Sequence, residues 1–134
     1  MSLLETFLTF LTRPTLGRAL EVARALRPCD SALLAACLYA AARSPRQPRP
    51  GNIREAATAA RLCDPRGFIS STSKALRAEL VDADAHLFRV CYRLYFLLRW
   101  PTWANAQDLA RALGPCSEKA VAATLLAATV RVRC

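Results

Sequence analysis

A single histidine, His86, is all the imidazole in this chain of 134 residues. Histidine is the commonest general base and the commonest metal ligand, so its scarcity counts against both kinds of site. Four glycines are too few and too scattered to form a phosphate-cradling loop. Ser71, Ser73 and Asp82 have the types of a hydrolase constellation, but no nucleophile elbow surrounds either serine. The six cysteines (Cys29, Cys37, Cys63, Cys91, Cys116 and Cys134) include no Cys-x-x-Cys pair, the spacing that structural zinc sites use. No metal, no cofactor and no enzymatic chemistry are expected. Cys37, Cys63 and Cys91 sit among alanines and leucines and read as small buried hydrophobes in a reducing compartment. Valine and isoleucine are scarce beside alanine and leucine, which favours helix over strand. The longest uncharged runs, Ser31–Ala42 and Ala120–Val130, fall far short of the ~20 residues that span a bilayer. Glu5 interrupts the first apolar stretch, which therefore does not read as a secretory leader.

What the chain does have is positive charge and an internal repeat. Its formal net charge is +9, carried almost wholly by arginine. Guanidinium presents a planar fork that suits phosphate and carboxylate, so nucleic acid or an acidic protein is the expected partner. Ala23-Arg24-Ala25-Leu26-Arg27-Pro28-Cys29 returns 87 residues later as Ala110-Arg111-Ala112-Leu113-Gly114-Pro115-Cys116. Aligned without a gap, Leu3–Arg43 and Val90–Val130 agree at 15 of 41 positions. So long a period is not that of a solenoid unit. It describes a duplicated small unit whose second copy runs only through its third helix.

The helix pattern follows that repeat. Ser2-Leu3-Leu4-Glu5 is a capping box, opening a helix with Leu3, Leu4, Phe7, Leu8 and Leu11 on its expected inner face. Pro14 separates it from a second helix, with Leu16, Ala19, Leu20, Ala23 and Leu26 inward. Asp30 caps a third, Ser31–Arg43, apolar all round and so expected at the centre of a bundle. Ser44–Gly51, with three prolines, is a loop. Residues 52–62 and 68–80 read as a helix pair with a short turn, the shape of a helix-turn-helix. Val81–Asp84 joins the units. Three further helices follow, the last expected over Glu118–Val132. The fold expected is all-α: a five-helix unit over 1–81, then a partial three-helix unit over 82–134. The two helices the second unit does not repeat would leave the face of Val121–Val130 partly bare, an invitation to a partner or a dimer. Trp100 and Trp103 flank Pro101-Thr102, and because Trp103 aligns with Leu16 both are expected in the seam between units.

Five helices around a buried third, duplicated head to tail, form the cyclin-box arrangement, and the residues here resemble the version in the transcription factor IIB family. The family's first repeat has a central helix of the type A-C-L-Y-x-A-C-R, a loop ending in Pro-Arg, K-E-I and a helix-turn-helix. Here stand Ala36-Cys37-Leu38-Tyr39-Ala40-Ala41-Ala42-Arg43, a loop through Pro48-Arg49, Ile53-Arg54-Glu55-Ala56 and the helix pair to Leu80. Phe88-Arg89-Val90-Cys91-Tyr92-Arg93-Leu94 resembles the opening of the second repeat. Ala106–Ala112 and Val121–Ala128 resemble its next two helices. Three features depart from the family: no zinc-ribbon cysteine set, no second helix-turn-helix, and a longer loop at Ser44–Gly51.

The resemblance implies a non-catalytic, nuclear (in an archaeon, cytoplasmic) bridge between TATA-binding protein, promoter DNA and RNA polymerase. Arg46, Arg49 and Arg54, with Lys74 and Arg77 on the fifth helix, would meet DNA. Arg43 matches the family's arginine that grips TATA-binding protein. Only Arg66 could stand in for the basic pair that accompanies it, because the turn here is Asp64-Pro65-Arg66. Two other classes fit the same residues: a cyclin-box adaptor that binds protein without DNA, and a compact dimeric regulator using one helix-turn-helix. Packing within the cyclin fold, rather than base reading, is the expected use of the helix pair, as in both cyclin repeats.

Overall fold

The computed structural model describes residues 2–26, 30–43, 66–67, 69–70, 73, 87–113 and 117–129, and among these the regular structure is all helix, with no strand. Among the described residues six helices can be given end to end, in the order α1 (Leu3–Thr12), α2 (Leu16–Ala25), α3 (Ser31–Arg43), α4 (Leu87–Arg99), α5 (Trp103–Ala112) and α6 (Glu118–Ala128). The predicted loop Ser44–Gly51, the helix over 52–62 and the join Val81–Asp84 lie outside the described residues. Of the predicted fifth helix, Ile69, Ser70 and Ser73 are described, and all three are helical.

Local chemistry sets the helix ends. The Glu5 backbone N–H donates to Ser2 Oγ at 3.2 Å, half of the capping box. The Ala32 N–H donates to Asp30 Oδ1 at 2.8 Å, opening α3. Thr15 and Thr102, one repeat period apart, each accept from the N–H three residues on, both at 3.2 Å. The matching ends, Leu26 (φ −81°, ψ 7°) and Leu113 (φ −82°, ψ −4°), close their helices with bonds to equivalent carbonyls.

Packing follows the same relation. The largest interfaces are α2 on α6 and α3 on α5, so the second helix of each half lies on the third helix of the other. The next are α1 on α2 and α4 on α5, again a matched pair. Phe10 and Leu97, Ala19 and Ala106, Val22 and Leu109, Ala35 and Ala122, Leu38 and Leu125, and Ala41 and Ala128 are counterparts across the repeat, and all are fully buried. Together they belong to one apolar cluster drawing on both halves. Each fully buried leucine or phenylalanine contributes roughly 1.5–3 kcal/mol. Arg24 of α2 reaches Glu118 of α6 at 3.4 Å, an exposed pair that ties the halves together at a gain of about 0–1 kcal/mol.

Three expectations change. On α1 the buried face is Thr6, Phe7 and Phe10, while Leu4 and Leu8 are exposed. The helix is apolar on more than one side, and the stacked Phe7 and Phe10 rings (6.2 Å apart) bury more area than the leucines would. On α3 one side stays open, at Leu33 and Ala36. By contrast every residue of 121–129 is buried, so the described part of the face expected bare is covered. The alanines of α6 let α2, α3 and α4 approach closely, and Ile69 packs on Ala123 as well.

Candidate functional site

The C-terminal half of α3, the outer face of α4 and the start of α5 carry an arginine–aromatic strip. Arg89, Tyr92, Arg93, Phe96, Arg99 and Trp100 recur at steps of three and four, which places all six on one side of α4 and its end. Tyr92 meets Phe96 edge-on at 4.9 Å, and Phe96 stacks on Trp100 at 5.9 Å, giving a ladder along the helix. Tyr95 braces it from beneath, 5.5 Å from Phe96. A second group lies at the α3–α5 contact, where Tyr39 meets Trp103 edge-on at 5.8 Å.

Each group carries cations laid on rings. The Arg43 guanidinium lies 5.3 Å from the centre of Tyr39, that of Arg99 5.6 Å from Trp100, and that of Arg93 6.0 Å from Tyr92. These separations fall within the reach of cation–π attraction, about 0.5–1 kcal/mol each at exposed sites. Arg43 and Arg99 are exposed and Arg93 half-exposed, so an anion in solution can reach each guanidinium beside its ring. Arg93 is partly spent, since Asp108 lies 3.6 Å away and also pairs with Arg111 at 3.3 Å. Arg43 and Arg99 are the more exposed of the three.

The two tryptophans are not core residues. Trp100 is 50% exposed and Trp103 is 43% exposed, against the seam position expected for them. Trp100 falls where the chain turns the corner at Pro101, and Trp103 is the first residue of α5, so neither reaches inward. The corner is pinned: Asn105 Nδ2 donates to the carbonyls of Trp100 at 2.8 Å and Phe96 at 3.3 Å. With the Thr102 cap, this fixes both indoles without burying them.

Of the predicted site residues, Arg43 and Arg66 are described, and both are exposed on helix. Arg43 belongs to the strip. Arg46, Arg49, Arg54, Lys74 and Arg77 lie outside the described residues. Arg89, Arg93 and Arg99 are not among the predicted site residues, although their spacing against Tyr92, Phe96 and Trp100 is legible in the sequence. Burial pushes the Cys37 thiol from its ordinary 9.0 up to about 11, so it is a packing group and no nucleophile at neutral pH. Among the described residues no cluster of three or more histidine, cysteine or acidic side chains is placed to hold a metal ion. No described helix is long and apolar enough to cross a membrane. No family model, curated protein or solved structure matches the chain.

Proposed function

We propose that the chain is a non-catalytic transcription initiation factor of the IIB type, with a cyclin-like core that holds promoter DNA and TATA-binding protein together for RNA polymerase. The observation that carries this reading is the strip: ring-braced arginines beside two half-exposed tryptophans on a chain of net charge +9. Phosphate neutralisation supplies most of the affinity of such a surface, and exposed rings add stacking wherever bases are unpaired. Arg43 stands both in the strip and at the position the family resemblance gives to the TATA-binding-protein contact. Arg46 and Arg49 follow it within a few residues and extend the positive charge.

A gel-shift assay with TATA-binding protein and promoter DNA, each also tested alone, is the direct test. The chain should shift the binary complex to a slower band, and Arg46→Glu with Arg49→Glu should abolish retention. An unchanged band with the doubly reversed chain removes the loop from the DNA contact. The adaptor reading, with protein as sole partner, draws support from the open leucines of α1 and α3. Salt separates the two. Binding through six or so phosphates weakens by orders of magnitude between low and physiological salt, whereas an apolar contact barely responds.

A further inference from the structure

Paired and unpaired nucleic acid ask different things of a protein surface. A duplex keeps its bases stacked inside and turns phosphates outward, which need only cations. A single strand offers base faces as well, and these need open rings beside the cations. Among the described residues the exposed large aromatics are Tyr92, Trp100 and Trp103, and all three belong to the arginine–aromatic strip. Beside them α4 carries Arg89, Arg93 and Arg99 and no acidic residue. On α5 Asp108 is the one carboxylate, shared between Arg93 at 3.6 Å and Arg111 at 3.3 Å, so the strip stays positive. The rings are held before any ligand arrives, Tyr92 against Phe96, Trp103 against Tyr39, and Trp100 by the amide of Asn105 on its carbonyl. Such preorganisation lowers the entropic cost of binding.

We propose that the ligand of the strip is an unpaired strand, with its phosphates on Arg93 and Arg99 and its bases stacked on Tyr92, Trp100 and Trp103. This rests on the strip being a nucleic-acid surface and narrows the ligand to the opened stretch of a promoter rather than the closed duplex. Tyr92 and Trp100 lie two helical turns apart, about 12 Å at ~1.5 Å per residue. A strand stepping about 3.4 Å per nucleotide covers that interval with roughly three or four nucleotides. A base can lie on a ring or on the guanidinium plane beside it. Every base has such a face, so the strip takes strands without regard to sequence. Charge alone would select the opposite ligand, because a duplex carries roughly twice the phosphate of a single strand per unit length. Preference for the single strand is therefore the signature of the rings.

The probes are a fluorescein-labelled oligothymidine of about ten nucleotides and a labelled duplex of equal length, each titrated with the full chain and followed by anisotropy. The single strand should bind at least about tenfold more tightly. Tyr92→Leu with Trp103→Leu keeps apolar bulk at two exposed positions and removes the flat rings. It should erase the single-strand advantage while leaving duplex affinity and the helical circular dichroism unchanged. A second measurement needs no variant: a fluorescent aminopurine base within the strand should lose emission on binding to the unaltered chain, as a base stacked on a ring does. Duplex binding as tight as single-strand binding, an aminopurine emission unchanged by binding, or a single-strand advantage that survives in the folded double variant overturns the unpaired ligand and leaves the strip a phosphate surface. Binding of neither probe at low salt overturns the nucleic-acid surface itself, and the unpaired strand with it.

Discussion

At the residue scale, chemistry depends on what each side chain is packed against. Cys37 is the clearest case. Its folded thiol ionises at about 11, against 9.0 unfolded. Between those values the unfolded chain gives up its proton first. The stability tied to the neutral thiol is therefore whole below pH 9 and is lost as pH rises through 11, a total on the order of 2–3 kcal/mol. The melting temperature should fall across that window, and Cys37→Ala should flatten the fall; an equally steep fall in the variant would assign it elsewhere. Asn105 gives a second test. Its amide bridges two carbonyls at the α4 end, so Asn105→Ala should cost about 1–2 kcal/mol in urea unfolding. It should also loosen the corner that presents Trp100. The buried cysteine was legible from its alanine and leucine neighbours. The exposure of the tryptophans was not, because alignment with Leu16 carries polarity but not the geometry of a chain corner.

At the scale of elements, caps and breakers marked the helices well. Ser2, Thr15, Asp30, Thr102 and Ser117 all stand where the described helices begin, and Pro14 and Pro101 stand between them. Which face turns inward was harder to read. α1 and α3 have apolar residues on more sides than their neighbours can cover, so periodicity alone admits several buried stripes. The paired caps allow a symmetric prediction: Thr15→Ala and Thr102→Ala should each cost about 0.5–2 kcal/mol and match one another closely. A large difference in urea midpoints would show that the two second helices carry unequal weight. The paired third helices should differ instead. Leu38 and Leu125 are both fully buried, but α6 is enclosed where α3 has an open side. Leu125→Ala should therefore fall nearer the upper end of the ~2–5 kcal/mol range than Leu38→Ala, because its surroundings relax less into the cavity. The reverse order would contradict the asymmetry of the two halves.

At the scale of the molecule, helices one repeat period apart in the sequence take matching places in the packing, with α2 on α6 mirrored by α3 on α5. Sequence alone could not show that crossing, since a repeat does not say whether each copy closes on itself or on its twin. One core drawing on both halves should melt in a single calorimetric transition. The two halves are not equally covered, with Leu4, Leu8 and Leu33 exposed where Cys91 and Ala123 are buried, and the arginine–aromatic strip is a further exposed surface. The only two tryptophans of the chain lie in that strip, so their fluorescence reports on it directly. Titrating promoter DNA, with and without TATA-binding protein, should quench the emission, and the affinity should fall linearly on a log–log salt plot. Arg43→Glu with Arg99→Glu should remove both effects. DNA binding that leaves the tryptophan emission unchanged, or no binding at low salt, would contradict the strip as the nucleic-acid surface.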